Sequence, residues 1–429
     1  MHDAMENTRA VKSFPRRLRR FAARTSLGLL GVLGALAAAH WTIRATCRIE
    51  PPEVPEATAL DGAVEKPRPR LRRFGDASVV ERAGLFEVRL SGDPESIGRA
   101  HTRLLYPEMV ENEGVLLSRF REAVPSALAR GVLLDLAQLR YRSIADEMSP
   151  ARKRELAAAA SAFDPDPYAS VFPTYQRFVY LNALYDISLS FEHSPLIGCT
   201  SFVFAGAAAG SPGALLARAF DFEVDPIFDR KKAVFFVRET GKIPFASVAW
   251  PGLVGVVSGM NAEGLAVVVH GGRAGEPRTH GEPVVHALRA VLSNAPGLDR
   301  ALEELARRPP IVSHILVLAD ADGRTARVER VPGQMDHVIP LGEAASITNH
   351  FRGPASRDPR NETVLRSTSS AARKQRADEL VKRVAKPVSP QAAVGLLRDR
   401  RGAGDRQLAL GDRDAIDALI ATHGVVFQT

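Results

Sequence analysis

Cysteine is nearly absent from this chain: Cys47 and Cys199 are the only two in 429 residues. That excludes a disulfide framework and a Cys-rich zinc site. One bridge is arithmetically possible. Cys47, however, borders an apolar segment, and a bridge would consume Cys199, the one cysteine placed to act as a nucleophile. Aromatic residues are also scarce, at 6%, and no stripe of them interleaves with basic residues. The formal net charge of +8 therefore does not describe a nucleic-acid binder. Much of the charge sits at the start, where residues 1–24 carry seven Lys/Arg against two Asp/Glu. A second basic knot comprises Lys66, Arg68, Arg70, Arg72 and Arg73. No internal repeat is evident. What the chain does have is a globular composition, 45% hydrophobic and 25% charged, and the length for one large domain or two ordinary ones.

The N-terminus reads as an address. Residues 1–25 form a basic tail predicted to be cytoplasmic. Residues 26–46 follow as an apolar stretch, uncharged from Leu27 to Ile43 and ended by Arg44. This suits a signal-anchor helix with the catalytic body outside the cytoplasm, Trp41 lying at the far interface. A cleavable signal with Ala37-Ala38-Ala39 before the cut is the alternative, giving a secreted or periplasmic protein. Residues 47–79, rich in Pro, Glu and Arg over 50–73, read as a linker.

From about 80 to 198 the pattern is mostly helical. A short strand over Leu85–Leu90 precedes a helix opened by Asp93 and Pro94. Helical stretches follow over Leu116–Leu139, Arg152–Phe163 and Tyr175–Ser188. At Gly198 the character changes. Strands are predicted over Thr200–Ala205 and Ala214–Phe222, then Ala233–Arg238 with Ile243–Trp250, Val254–Gly259 with Leu265–His270, and Ser313–Ala319 with Thr325–Val331. Helices are predicted near 282–294, 297–308, 373–384 and 390–398. Asp320-Ala321-Asp322-Gly323 lacks the downstream ligands of a calcium loop and reads as a hairpin turn. Antiparallel hairpins alternating with helix pairs predict an α+β fold with sheets packed between helices. No metal or cofactor is expected.

Cys199 stands at the helix-to-strand boundary. Gly198 before it leaves the preceding peptide conformationally free. Arg218 and Asp221, on the return strand of the same hairpin, fall near its level. A guanidinium there favours the thiolate, and a carboxylate can hold an ammonium group or an arginine. A general base is missing. His270, His314 and His350 are available, but none has the sequence context of a papain-like peptidase. A cysteine made N-terminal by cleavage needs none of them. Its own α-amine, with an unperturbed pKa of about 7.7–8.0, can take the thiol proton.

Four segments carry a resemblance: Gly198-Cys199-Thr200-Ser201-Phe202-Val203, Ala217-Arg218-Ala219-Phe220-Asp221-Phe222-Glu223, Gly259-Met260-Asn261-Ala262-Glu263-Gly264-Leu265 and Thr348-Asn349-His350. They resemble the N-terminal-nucleophile hydrolases, and within them the acyl-CoA:6-aminopenicillanic-acid acyltransferase family. Choloylglycine hydrolases and acid-ceramidase-like amidases are relatives. Gly92–His101 resembles the opening motif of that family's pro-region. The resemblance spans roughly residues 80–400. It implies a four-layer αββα sandwich, a helical pro-region over 80–198 and a catalytic chain over 199–429, separated by self-cleavage between Gly198 and Cys199. It implies Cys199 as nucleophile, Arg218 and Asp221 orienting its amine and the substrate, Asn261 as oxyanion donor and Asn349 positioning the amine or the tetrahedral intermediate. The family's late arginine is expected at Arg373 rather than Arg366. Ile197 departs from the family, where Asp is frequent, and His350 reads as a packing or capping residue.

The implied activity is hydrolysis or transfer of an acyl group from a linear amide, or a thioester, through a Cys199 thioester. Lipid amides, acyl-homoserine lactones, penicillins and conjugated amino acids all suit it, with a lean toward acyl-chain amides. Two rivals remain: an unprocessed membrane-tethered binding protein on the same fold, and a His-dependent cysteine peptidase using His270 or His350.

Overall fold

The computed structural model describes residues 16–54, 62–191, 197–222 and 225–429, without the side chains of 16–24, 26–29, 32, 33 and 197. From the N-terminus, helix α1 (Arg16–Thr46) precedes strands β1 (Glu65–Arg68), β2 (Leu71–Phe74), β3 (Ala77–Arg82) and β4 (Leu85–Gly92). Helices α2 (Pro94–Ala123), α3 (Ala127–Arg140), α4 (Pro150–Ser161), α5 (Thr174–Asn182) and α6 (Leu184–Leu189) follow. Next come β5 (Ile197–Ala205), β6 (Ala214–Phe222), the short helix α7 (Ile227–Arg230), β7 (Ala233–Glu239), β8 (Phe245–Ala249), β9 (Ser258–Asn261) and β10 (Ala266–Gly271). After α8 (Val284–Asn294) and α9 (Leu298–Ala306) lie β11 (His314–Ala319), β12 (Thr325–Arg330), β13 (His337–Pro340) and β14 (Ala344–Ile347). Helices α10 (Pro359–Ser367), α11 (Ser370–Arg383) and α12 (Pro390–Leu397) lead to β15 (Ala421–Gln428).

Two compact units result. Residues Met1–Arg48 and Ser126–Arg140 form one, within which His40 Nδ1 lies 2.7 Å from Asp135 Oδ2. Ile49–Pro125 and Tyr141–Thr429 form the other, which holds both sheets. Its larger sheet has the order β1-β2-β3-β4-β7-β8-β9-β10-β11-β12-β13, the smaller one β14-β5-β6-β15. All neighbours are antiparallel except β4 and β7.

Side-chain alternation sets the layers. Val203 and Leu216 of the small sheet pack with Val268, Ile315 and Val317 of the large one, forming the core between the sheets. The opposite face of the small sheet, with Phe202, Phe204, Leu215 and Ala217, is covered by Ala377, Ala393 and Leu396 of α11 and α12. On the far side of the large sheet α8 comes close: a Cβ on Gly259 would stand 2.6 Å from Leu292 Cδ1. The result is a mixed α+β fold with helices on the outer side of each sheet.

Several expectations are corrected. Residues 62–79 are not a linker, because β1, β2 and the first half of β3 lie there and extend the large sheet. The predicted helix over Leu116–Leu139 is two helices, broken where Pro125 cannot continue α2. The strand predicted from Val254 begins only at Ser258. Before it, Val254 N–H donates to Asn182 Oδ1 and Val256 N–H to Val285 O, so helical segments, not a neighbouring strand, satisfy this backbone. The membrane span expected over 26–46 lies within α1, where the side chains of 26–29, 32 and 33 are outside the described set. Among the described residues no helix is long and apolar enough to cross a membrane.

Candidate active site

The β5–β6 hairpin sets the site by register. Cys199 lies opposite Phe220, Ser201 opposite Arg218, and Gly198 opposite Asp221. Strand alternation then sorts them. Cys199, Ser201, Arg218, Phe220 and Phe222 share the face toward the large sheet. Gly198, Thr200 and Asp221 share the face toward α11.

On the inner face Cys199 is fully buried. Arg218 Nη2 donates to its Sγ at 3.2 Å and to the Val269 carbonyl at 2.6 Å. Arg218 Nη1 donates to Val257 O at 3.3 Å and to Ser258 Oγ, and lies 3.3 Å from His423 Nε2. The guanidinium carbon stands 4.1 Å from the centre of the Phe220 ring. Among the described residues, no carboxylate lies within ion-pair distance of Arg218. Burial pushes the Cys199 thiol up, Arg218 pulls it down, and Asp221 adds to the rise. Burial with Arg218 close by also holds His423 well below the usual histidine range, so it is neutral.

On the other face β14 pairs with β5 only from Ser201 to Phe204. The N–H and C=O of Cys199 therefore need other partners. Asn349 Oδ1 accepts the Cys199 N–H at 2.9 Å, and Arg373 Nη1 donates to the Cys199 carbonyl at 2.6 Å. Arg373 also reaches Thr200 Oγ1 and Asn349 Oδ1, both at 2.8 Å. Asn349 is itself fixed, its Nδ2 donating to Gly271 O and its N–H to Ser370 Oγ, each at 2.9 Å. In this intact chain the Cys199 nitrogen is a peptide N–H standing where an α-amine would be after cleavage. Asp221 lies against Gly198: a Cβ there would meet Asp221 Oδ2 at 2.9 Å. Burial pushes the Asp221 carboxyl up, against Arg373, Arg413 and Arg218.

The structure thus brings together Gly198, Cys199, Arg218, Asp221, Asn349 and Arg373. It does not bring Asn261 to them. The Asn261 amide nitrogen donates to Leu292 O at 3.0 Å and Ala295 O at 2.7 Å, while its oxygen accepts from Glu263 and Leu265. Both N–H groups are used in fastening the β9–β10 turn to the end of α8, leaving none for an oxyanion. None of the candidate histidines bonds Cys199, although His270 and His350 adjoin the site. His270 Nε2 meets Ser201 Oγ at 2.8 Å, His314 Nδ1 meets Val312 O at 3.0 Å, and His350 Nδ1 meets Ser370 Oγ at 2.9 Å.

Sequence reasoning missed Ser258, His423 and the Val269 carbonyl, which clamp Arg218. His423 enters through β15, which pairs with β6 from the far end of the chain. The apolar alternation around Val425 and Phe427 was the available signal. Also missed was a largely apolar cavity of about 110 Å³. Phe220 and Phe222 line it on the face of β6 that carries Arg218, joined by Trp250 and, from the segment before Cys199, Phe178 and Tyr185.

A buried, arginine-held thiol is a group that acyl transfer can use. Residues 209–411 match the model of the acyl-coenzyme A:6-aminopenicillanic acid acyl-transferase family. This is the family its motifs resemble. The match includes Arg218, Asp221, Asn349 and Arg373 and begins after Cys199. A comparison with curated proteins finds no match. Among solved structures the chain is similar to a Caenorhabditis elegans N-acylethanolamine-hydrolyzing acid amidase ortholog, at 17% identity over 47% of this chain and 86% of that one, with a TM-score of 0.37. It is similar to penicillin V acylase from Agrobacterium tumefaciens, at 21% identity over 46% and 69%, with a TM-score of 0.33. Conjugated bile acid hydrolase from Clostridium perfringens gives 14% identity over 36% and 54%, with a TM-score of 0.27.

Proposed function

We propose that this chain is a self-processing amidohydrolase or acyltransferase whose nucleophile is Cys199. One observation carries the reading: the sulfur, the N–H and the carbonyl of this single buried residue are each held by a different functional side chain, Arg218, Asn349 and Arg373.

In processing, Cys199 Sγ attacks the Gly198 carbonyl carbon. The peptide nitrogen leaves as the Cys199 amine, and Gly198 becomes a thioester on Sγ. Water hydrolyses that thioester, giving a Gly198 carboxylate, a free thiol and a free α-amine. In turnover the α-amine takes the thiol proton and Sγ attacks the substrate amide carbonyl. One Asn349 Nδ2 hydrogen goes to Gly271 O; the second donates to the oxyanion in this reading, the part expected of Asn261. The α-amine returns the proton to the leaving amine, and water or an acceptor amine resolves the acyl-enzyme. Arg218 favours the thiolate. The acyl group extends past Phe220 into the apolar cavity, which suits acyl-chain or aryl-acyl amides.

Intact mass of the full chain beside its Cys199→Ala variant tests this. The expected result is two fragments from the native chain, the second beginning at Cys199, and one uncut chain from the variant. A native chain that stays whole when folded would remove the α-amine and with it the mechanism.

A further inference from the structure

Helix α2 presents Met109, Asn112, Glu113 and Leu116 to the apolar cavity, a stripe at i, i+3, i+4 and i+7. Met109 and Leu116 suit its walls. Glu113 is ion-paired with Arg177. Asn112 stands apart: it is only 4% exposed, and among the described residues neither its amide oxygen nor its amide nitrogen has a hydrogen-bond partner. From α6, Tyr185 lines the same cavity, is 8% exposed, and has a hydroxyl equally without a partner. Burial holds its phenol well above the usual range, so it keeps its proton and can donate.

A buried amide with no partner destabilises the fold, and an apolar residue of similar volume would fill the position without that cost. Two such groups converge on one cavity whose other walls are mostly aromatic and aliphatic. Phe220, which lines the cavity, lies directly opposite the nucleophile, and Phe222 on the same strand face lines it too. An acyl group attached to Cys199 that follows this face reaches the Asn112 and Tyr185 groups some way from its carbonyl.

Building on the acyl-enzyme reading above, we infer that the cavity selects acyl groups carrying an oxygen function (a hydroxyl, keto or ether group) part-way along an otherwise apolar chain or ring. Asn112 Nδ2 and the Tyr185 hydroxyl donate to that oxygen, and Asn112 Oδ1 receives the hydrogen of a hydroxyl. Such a site favours the oxygenated substrate more strongly than an apolar pocket separates chain lengths, because the unoxygenated analogue leaves buried polar groups unpaired.

The test compares the aminocoumarin amide of decanoic acid with a series in which one methylene at a time is replaced by ether oxygen. The full-length protein is used, and every preparation is scored by intact mass for cleavage at Cys199. The native protein is expected to favour one oxygen position over decanoyl by about tenfold in kcat/KM. Asn112→Leu and, separately, the milder Tyr185→Phe should bring that ratio toward one. Cleaved native protein that hydrolyses decanoyl as well as every oxygenated analogue overturns this inference alone, a water shared by Asn112 and Tyr185 then being the occupant. A preference that survives both substitutions also overturns it. Protein that stays uncleaved and turns over no member overturns the enzymatic reading, and this inference with it.

Discussion

Two pairs among the buried arginines of this fold have partners that differ in kind. Arg152 and Arg289 meet two glutamates. Arg152 bonds Glu155 and lies 2.5 Å from Glu239, and Arg289 lies 2.8 Å from Glu155 and 3.2 Å from Glu239. Two cations and two anions cancel there. Arg218 and Arg373 instead meet carbonyls, hydroxyls, an amide, a neutral imidazole and a thiol. The first pair fastens the segment before Cys199 to the segment after it, beside the parallel pairing of β4 with β7. In the proposed mechanism the second pair faces charge that develops on the sulfur and on the attacked carbonyl oxygen. Burying a cation without a bonded carboxylate is costly. Neither arginine makes an ion pair among the described residues, although Asp221 lies near enough to favour the Arg373 charge, and the arrangement supports the proposed role of Cys199.

Breaking the balanced set gives the largest expected effect. Arg289→Met leaves Glu155 and Glu239 with one arginine, a loss of about 3–5 kcal/mol. Thermal unfolding should show the midpoint falling by about 5 °C, while molecules that remain folded still process. Breaking the other set should act on rate. Arg218→Met removes the donor at Sγ and is expected to slow processing about 10²–10³-fold, read as intact mass against time. Its thermal midpoint should fall by less than that of Arg289→Met. If the two variants show the same balance of lost stability and lost rate, the distinction between the pairs is wrong.

A smaller effect separates stability from chemistry by pH. Burial raises the Asp186 carboxyl to about 7, although its Oδ2 accepts the Val284 N–H at 3.0 Å. A carboxyl raised on folding holds its proton more tightly in the native state. Its stabilising contribution is therefore complete below its unfolded pKa of 3.8 and lost as pH rises through about 7. Glu113 and Glu282, also raised to about 7 chiefly by burial, act in the same direction. Denaturant melts should show the protein less stable at pH 8 than at pH 5, and Asp186→Asn should flatten that slope without removing it. An unchanged slope would mean that Asp186 is ionised at both pH values.

The local parts of this picture were legible in the sequence. The β5–β6 hairpin needs only alternation and a glycine-rich turn, so Arg218 and Asp221 could be placed beside Cys199 from spacing. The helix at Pro94 was announced by Asp93, whose side chain accepts the Ser96 N–H at 2.7 Å. What failed was non-local. Strand β1 hides in a Pro- and Arg-rich stretch because it is an exposed sheet edge, and β2 and β3 because each buries only two apolar residues, Leu71 and Phe74, and Ala77 and Val79. His423 lies more than two hundred residues from Arg218, and only the pairing of β15 with β6 joins them. Asn261 failed for another reason. The same Gly-Met-Asn string serves equally as a turn lock, and nothing in it says which way the amide faces.

The smallest effect concerns Asp221, the carboxylate that might have paired with the lone arginines and instead lies against the scissile peptide. A methyl group on residue 198 would stand 2.9 Å from Asp221 Oδ2 and 3.3 Å from its Cβ, so the carboxylate must turn away and Asp221 must give by a few tenths of an ångström. Overpacking of this kind costs about 1–3 kcal/mol, enough to slow self-cleavage of Gly198→Ala roughly tenfold. Once the bond is cut, residue 198 is no longer joined to Cys199 and the crowding is relieved. The cleaved fraction of the variant should therefore turn over acyl amides at the native rate per active site. If its turnover also falls, residue 198 stays beside Asp221 after cleavage, and the new carboxylate at the end of the first fragment is part of the working site.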